Sequence, residues 1–254
     1  MSDLFNLKGR LALLTGSGQG IGYALARGLA GHGAEVVING RTAEKIEKAV
    51  ASLGNEGFAA QASVFDVVDP AAVEAAVARI EQDIGPIDIV INNAGVQFRK
   101  PLEEFPDDKW QMLLQTNVTG VFNVGKAVAK RMITRRRGKI INIASVMSEL
   151  ARPTIAPYTA TKGAVRNLTR GMCADWAKYG IQVNAIAPGF FRTELNKALT
   201  EDPEFTSWLE KRTPTGRWGE VGELVGAAVF LASDASSFVN GHTLYVDGGV
   251  TASV

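Results

Sequence analysis

A single cysteine, Cys173, and only two histidines, His32 and His242, occur in the 254 residues. One thiol cannot close an intramolecular disulfide, so a disulfide-stapled scaffold is excluded and a cytoplasmic location is expected. So few Cys and His also leave clustered zinc sites and His-rich iron or copper centres without ligands, and no metal is expected. A Ser-His-Asp hydrolase would have to use one of those two histidines. An excess of one charge is missing as well. Lys plus Arg number 27 against 26 Asp plus Glu, a net charge of +1. No global basic field is present for nucleic acid, and no acidic tail. No apolar run approaches the ~18 residues of a membrane span, and Asp3 and Lys8 interrupt the stretch that an apolar leader would need.

What the chain does have is alternation. Hydrophobic residues make up 46% and charged residues 21%, an ordinary globular balance. Short β-branched runs are predicted as strands at 11–15, 35–39, 59–64, 87–92, 139–143, 181–186 and 243–246. Longer patterns between them predict helices at 20–31, 42–53, 70–84, 107–136, 158–179, 205–212 and 221–232. Asp69 before Pro70 suits an N-cap, and Gly138 is expected to stop the long helix. Arg135-Arg136-Arg137 reads as a solvated helix end. The strands are nearly continuous apolar runs, as in a parallel sheet covered on both faces. The expected architecture is therefore one Rossmann-like, doubly wound α/β domain over 1–254, with about seven parallel strands and substrate-side helices at about 190–232.

Thr15-Gly16-Ser17-Gly18-Gln19-Gly20-Ile21-Gly22 lies between the first strand and the first helix. Glycines there let the backbone turn sharply and approach a pyrophosphate, while the helix N-terminus supplies amides and positive potential. Tyr158 and Lys162 are four apart on one helix face, and Ser145 follows a strand end, where ligands meet open α/β sheets. With Asn92-Asn93-Ala94-Gly95, Asn117 and Pro188-Gly189 in order, the whole chain resembles the short-chain dehydrogenase/reductase family.

That resemblance implies roles. Tyr158 would be the general acid/base, Lys162 would lower its pKa and bind the ribose, Ser145 would hold the reacting oxygen, and Asn117 would help hold a water-linked proton path. Free tyrosine titrates near ~10, too high for a base at neutral pH, and a neighbouring ammonium favours the phenolate and lowers that value. Gly16, Ser17, Gln19, Gly20, Ile21, Asn93, Gly95, Pro188, Gly189 and Thr193 would line the cofactor, and Asp66 with Val67 would meet the adenine. Gly40 stands where an NAD-preferring relative carries an acid, and Arg41 follows it. A guanidinium suits a 2′-phosphate, so NADP (NADPH) is expected, with NAD possible.

The segments 95–99, 145–152 and 212–219 resemble those members of the family that act on a keto sugar acid, 5-keto-D-gluconate being the expected substrate. Arg99 and Arg152 would then draw its carboxylate and Glu149 its hydroxyls. The alternative enzyme is a 3-oxoacyl-carrier-protein reductase or another keto-sugar or polyol dehydrogenase. A non-catalytic nucleotide-binding protein is disfavoured by the intact Ser145, Tyr158 and Lys162. The resemblance further implies a homotetramer built on the helices at 107–136 and 158–179, with 246–249 at a second interface.

Overall fold

The computed structural model describes residues 4–253, so Asp3 lies outside it. Seven strands form one all-parallel sheet: β1 (Leu11–Leu14), β2 (Glu35–Gly40), β3 (Ala60–Val64), β4 (Ile87–Asn92), β5 (Gly138–Ile143), β6 (Ile181–Pro188) and β7 (Thr243–Val246), in the order β3-β2-β1-β4-β5-β6-β7. Strand order reverses between β1 and β4, which opens a crevice at the carboxyl ends of the strands.

Side chains alternate across the sheet, and both faces of the central strands β1, β2, β4, β5 and β6 are buried, while the edge strand β3 is largely exposed. Ala12 and Leu14 of β1 pack beneath α1 (Gly20–Gly31), α2 (Ala43–Asn55) and α9 (Val225–Ala232), through Leu25, Ile46 and Val229. Leu11 and Leu13 face the other layer, α3 (Pro70–Asp83), α5 (Gly120–Arg135) and α6 (Ala156–Trp176), through Val77, Val128 and Val165. This two-sided burial is why the central strands read as nearly unbroken apolar runs, and its absence at the edge is why β3 carries Gln61 and Ser63. Asp69 caps α3 as expected, accepting from the amides of Ala71 at 2.9 Å and Ala72 at 3.0 Å.

Several boundaries differ from the sequence reading. The helix expected over 107–136 is α4 (Asp107–Leu114), one π-helical turn (Gln115–Thr119), and then α5. Gly138 does not stop it. Arg136 does, in the left-handed region at φ 54°, with its own amide and that of Arg137 bonded back to Ile133 and Met132 carbonyls. Gly138 instead opens β5, where a Cβ would lie 2.2 Å from Met132 Sδ. α6 begins at Ala156 because Pro157 fits its first turn, and 221–232 divides into a 3₁₀ turn (Val221–Leu224) and α9. A short helix absent from the sequence reading, α7 (Lys197–Thr200), precedes α8 (Pro203–Arg212). Among the described residues no helix is long and apolar enough to cross a membrane.

Candidate active site

The glycine-rich turn leaves β1 and is locked to the end of β4. The Thr15 hydroxyl accepts from the amides of Asn93 at 3.0 Å and Ala94 at 3.1 Å, and Asn93 Nδ2 donates to the carbonyls of Thr15 and Gly16. Gly16 has φ 61°, and a Cβ there would sit 2.8 Å from Ala94 Cα, so only glycine permits this contact. Gly20, at φ 60°, faces open space within the cleft. Gln19 caps α1 without a side-chain bond, so the first amides of α1 face the cleft free of a protein anion. That is a cradle for a pyrophosphate. Ser17 does not face it: its buried hydroxyl donates to the Leu14 carbonyl at 2.7 Å and accepts from the Asn39 amide at 3.1 Å.

The end of β2 carries no carboxylate. Arg41 follows it, 70% exposed, with Nη1 3.7 Å from Asp66 Oδ2. The other Asp66 oxygen accepts from the Val68 amide at 3.1 Å. Val67 is buried, and its side chain lies where a Cβ on Gly120 would fall. These three residues stand outside the enclosed part of the cleft. A solvent-facing guanidinium beside a glycine-rich turn suits a dinucleotide with a 2′-phosphate better than one with a bare 2′-hydroxyl.

The reacting end is a cleft of about 450 Å³. α6 is pinned to the sheet by a buried chain in which Asn92 Nδ2 donates to Asn142 Oδ1 at 2.8 Å and Asn142 Nδ2 donates to the Thr169 hydroxyl at 2.9 Å. This fixes the helix face that carries Tyr158 and Lys162. Ser145 lies two residues past β5, and its Oγ accepts from the Met147 amide at 3.1 Å. Lys162 is buried, its Nζ donates to the Ile143 carbonyl at 2.7 Å, and it stands 5.7 Å from the Tyr158 ring centroid. Burial pushes the Tyr158 phenol above its ordinary value, while its hydrogen bond with Ser145 and the Arg99 guanidinium pull it back. Burial pushes Lys162 down to about 8. The Asn117 side chain, in the π-helical turn, is engaged within the protein. It exchanges two bonds with the Val96 backbone, at 2.8 and 2.9 Å, and donates to Thr161 Oγ, which itself donates to the Tyr158 carbonyl at 2.7 Å.

Ser145, Tyr158, Lys162, Gly16, Gln19, Gly20, Ile21, Asn93, Gly95, Pro188, Gly189, Thr193, Arg99 and Arg152 all line this one cleft. Glu149 does not. Its carboxylate pairs with Arg166 and accepts from the Tyr245 hydroxyl at 3.0 Å, behind the cleft wall. Arg99 Nη2 donates to Gln97 Oε1 at 3.3 Å and Asn196 Oδ1 at 3.4 Å, while its Nε is buried without a partner. Arg152 rests over the Phe205 ring at 5.3 Å. That ring belongs to a cluster with Phe190, Trp208 and Trp218. Burial lowers the pKa of both arginines, and Arg99 lowers that of Arg152 further. Gln97, Asn196 and Phe190 were not singled out from sequence. Gln97 stands in the segment 95–99, and the other two carry no motif.

The profile of the family described as enoyl-(acyl carrier protein) reductase matches residues 16–251. Over 99% of this chain and 98% of that protein, the sequence is 62% identical to the gluconate 5-dehydrogenase of Gluconobacter oxydans (strain 621H). It is 56% identical to the 5-keto-D-gluconate 5-reductase of Escherichia coli (strain K12), covering all of both. The crystal structure of a gluconate 5-dehydrogenase from Burkholderia cenocepacia J2315, in complex with NADP and tartrate, superposes with a TM-score of 0.97 at 62% identity, covering 99% of each chain.

Proposed function

The chain belongs to the short-chain dehydrogenase/reductase family, and we propose that it is an NADP-dependent oxidoreductase interconverting 5-keto-D-gluconate and D-gluconate. The single observation that carries the substrate class is the pair of guanidiniums, Arg99 and Arg152, in the same cleft as Tyr158. Full-length likeness to proteins named for gluconate oxidation and 5-ketogluconate reduction supports the same reading. It disfavours a carrier-protein reductase, whose substrate would bring a long phosphopantetheine arm and an acidic carrier to the cleft.

Bound NADPH would supply the hydride that reduces the ketone carbon. The cradle of Gly16, Gly20 and the α1 amides would take its pyrophosphate, and Arg41 its 2′-phosphate. Tyr158 would deliver a proton to the ketone oxygen, and Ser145 would hold that oxygen by a hydrogen bond. Lys162 would steady the ionised phenol and the ribose; its ammonium already lies beside the Tyr158 ring. Arg99, whose charge acts on the Tyr158 phenol, and Arg152 would fix the register of the six-carbon acid through its carboxylate. A homotetramer in the cytoplasm completes the proposal. Phe122 on α5 and Phe238 before β7 are exposed apolar side chains suited to covering, and a monomeric mass by light scattering would refute that assembly.

The test is NADPH oxidation, followed by absorbance, with 5-keto-D-gluconate and a panel of neutral ketoses. Wild type should prefer the acid. Arg99→Ala should raise KM for the acid by about 10-fold or more, the range of a hydrogen-bonded charge. A wild-type enzyme that ignores 5-keto-D-gluconate would overturn the substrate while leaving the reductase chemistry standing.

A further inference from the structure

Arg99 is a long side chain that must hold one direction to read a carboxylate. Its Nε is buried without a partner, so the guanidinium plane is set by what Nη2 touches. One of those partners, Gln97, sits on the same loop and would move with it. The other, Asn196, comes from across the cleft, at the end of the 3₁₀ turn Glu194–Asn196 that follows Thr193. Asn196 is itself anchored. Its Nδ2 donates to the Phe191 carbonyl at 3.1 Å and its amide to the Thr193 carbonyl at 3.0 Å. Phe191 is in turn fixed: it is buried and bridges to Gly219.

We infer that Asn196 is a positioning residue for the acid substrate: it holds the Arg99 guanidinium in the cleft and ties that hold to the segment carrying Thr193. The inference rests on the keto-acid reading above. The amide suits this task chemically. Its oxygen accepts from a guanidinium without neutralising it, and its nitrogen donates to the fixed carbonyl behind. A carboxylate in the same place would compete with the substrate for the same donor fork. Because Thr193 lies three residues away on the same segment, a cofactor seated against Thr193 would also steady Asn196. Arg99 would then be best aimed when the cofactor is in place.

The experiment is a double-mutant cycle on the purified enzyme with NADPH and 5-keto-D-gluconate. Asn196→Ala should raise KM for the acid roughly three- to tenfold, the worth of one modest hydrogen bond, with kcat and NADPH affinity changing less than about twofold. Asn196→Asp should raise KM more than Asn196→Ala, because it pairs with Arg99 and cancels its charge. In an Arg99→Ala background Asn196→Ala should add nearly nothing, since the effect passes through Arg99. A loss on Asn196→Ala that adds in full in that background would overturn the inference. So would an Asn196→Asp effect no larger than that of Asn196→Ala, or a fall in NADPH affinity that matches the rise in KM. If wild type does not turn over 5-keto-D-gluconate at all, the substrate reading fails first, and this inference with it.

Discussion

Removing Arg41 should separate the two nicotinamide cofactors. The side chain follows Gly40 at the end of β2 and is 70% exposed, so its charge works in a well-screened setting. A charge-assisted hydrogen bond to a phosphate is worth about 1.5–3 kcal/mol. Against this stands the contact with Asp66 at 3.7 Å, an exposed pair worth ~0.2–1 kcal/mol that the phosphate must share or displace. The difference leaves about 1–2 kcal/mol for 2′-phosphate recognition, a five- to thirtyfold weakening of NADPH on Arg41→Ala. NADH lacks the phosphate and should change less than about twofold. Titration of both cofactors by calorimetry or nucleotide fluorescence, at low and at physiological salt, reads this directly. The NADPH loss should shrink with salt. Equal losses for the two cofactors, or an NADPH affinity that ignores the substitution, would refute the assignment of Arg41 to the phosphate.

Two further outcomes follow from Tyr158 and Lys139. Tyr158→Phe should keep the fold, because the ring still packs with Val146, Met147 and Ile155, yet lose turnover by ~10²–10⁴-fold, the contribution of a general acid/base; a folded Phe variant with near-normal turnover would contradict the mechanism. Lys139→Met should stabilise the protein by about 1–2 kcal/mol at pH 7, less than the roughly 3 kcal/mol that the shift implies because the bond to Ser236 is lost. Lys139 is buried, donates to Ser236 Oγ at 3.1 Å, and burial pushes it down to about 8 from 10.5. Below pH 8 both states are protonated and the full cost of burying the charge is present. Between about 8 and 10.5 the unfolded chain holds the extra proton, so wild-type stability should rise with pH and the advantage of the Met variant should shrink. Denaturant titrations at pH 7 and pH 10 check both the sign and the slope.

How much of this was legible in the sequence depends on how far each feature reaches. The apolar strand runs, the glycine turn and the Tyr158–Lys162 spacing are local patterns, and each one appears in the structure where it was expected. Gly138 follows a long helix, where glycine ordinarily marks a stop. What requires glycine there is the close approach of Met132, a contact between two elements. The π-helical turn at Gln115–Thr119 leaves no mark on hydrophobic periodicity over so few residues. Glu149 lies beside the serine in sequence, but its partners Arg166 and Tyr245 come from α6 and β7, and they turn it away from the cleft. Asn196 has no motif; it matters only because the chain folds back to place it against Arg99.

The way the cleft holds its cations explains both its cost and its use. Lys162 is held by a carbonyl, Arg99 by two amide oxygens, and Arg152 by the face of Phe205. All of these partners are uncharged. Glu149, which could have neutralised an arginine, is committed to Arg166, and Glu194 stays exposed at the mouth. Neutral partners position a cation but leave its charge uncompensated, so each one is a standing penalty on stability. The lowered pKa values of all three groups have burial as their leading cause. The same lack of compensation leaves a positive potential in a partly desolvated space, where it acts more strongly on an incoming anion than it would in water. A carboxylate substrate and a phosphate-bearing cofactor would supply the missing charge. Stability given up in the folded chain would then return as affinity when both are bound.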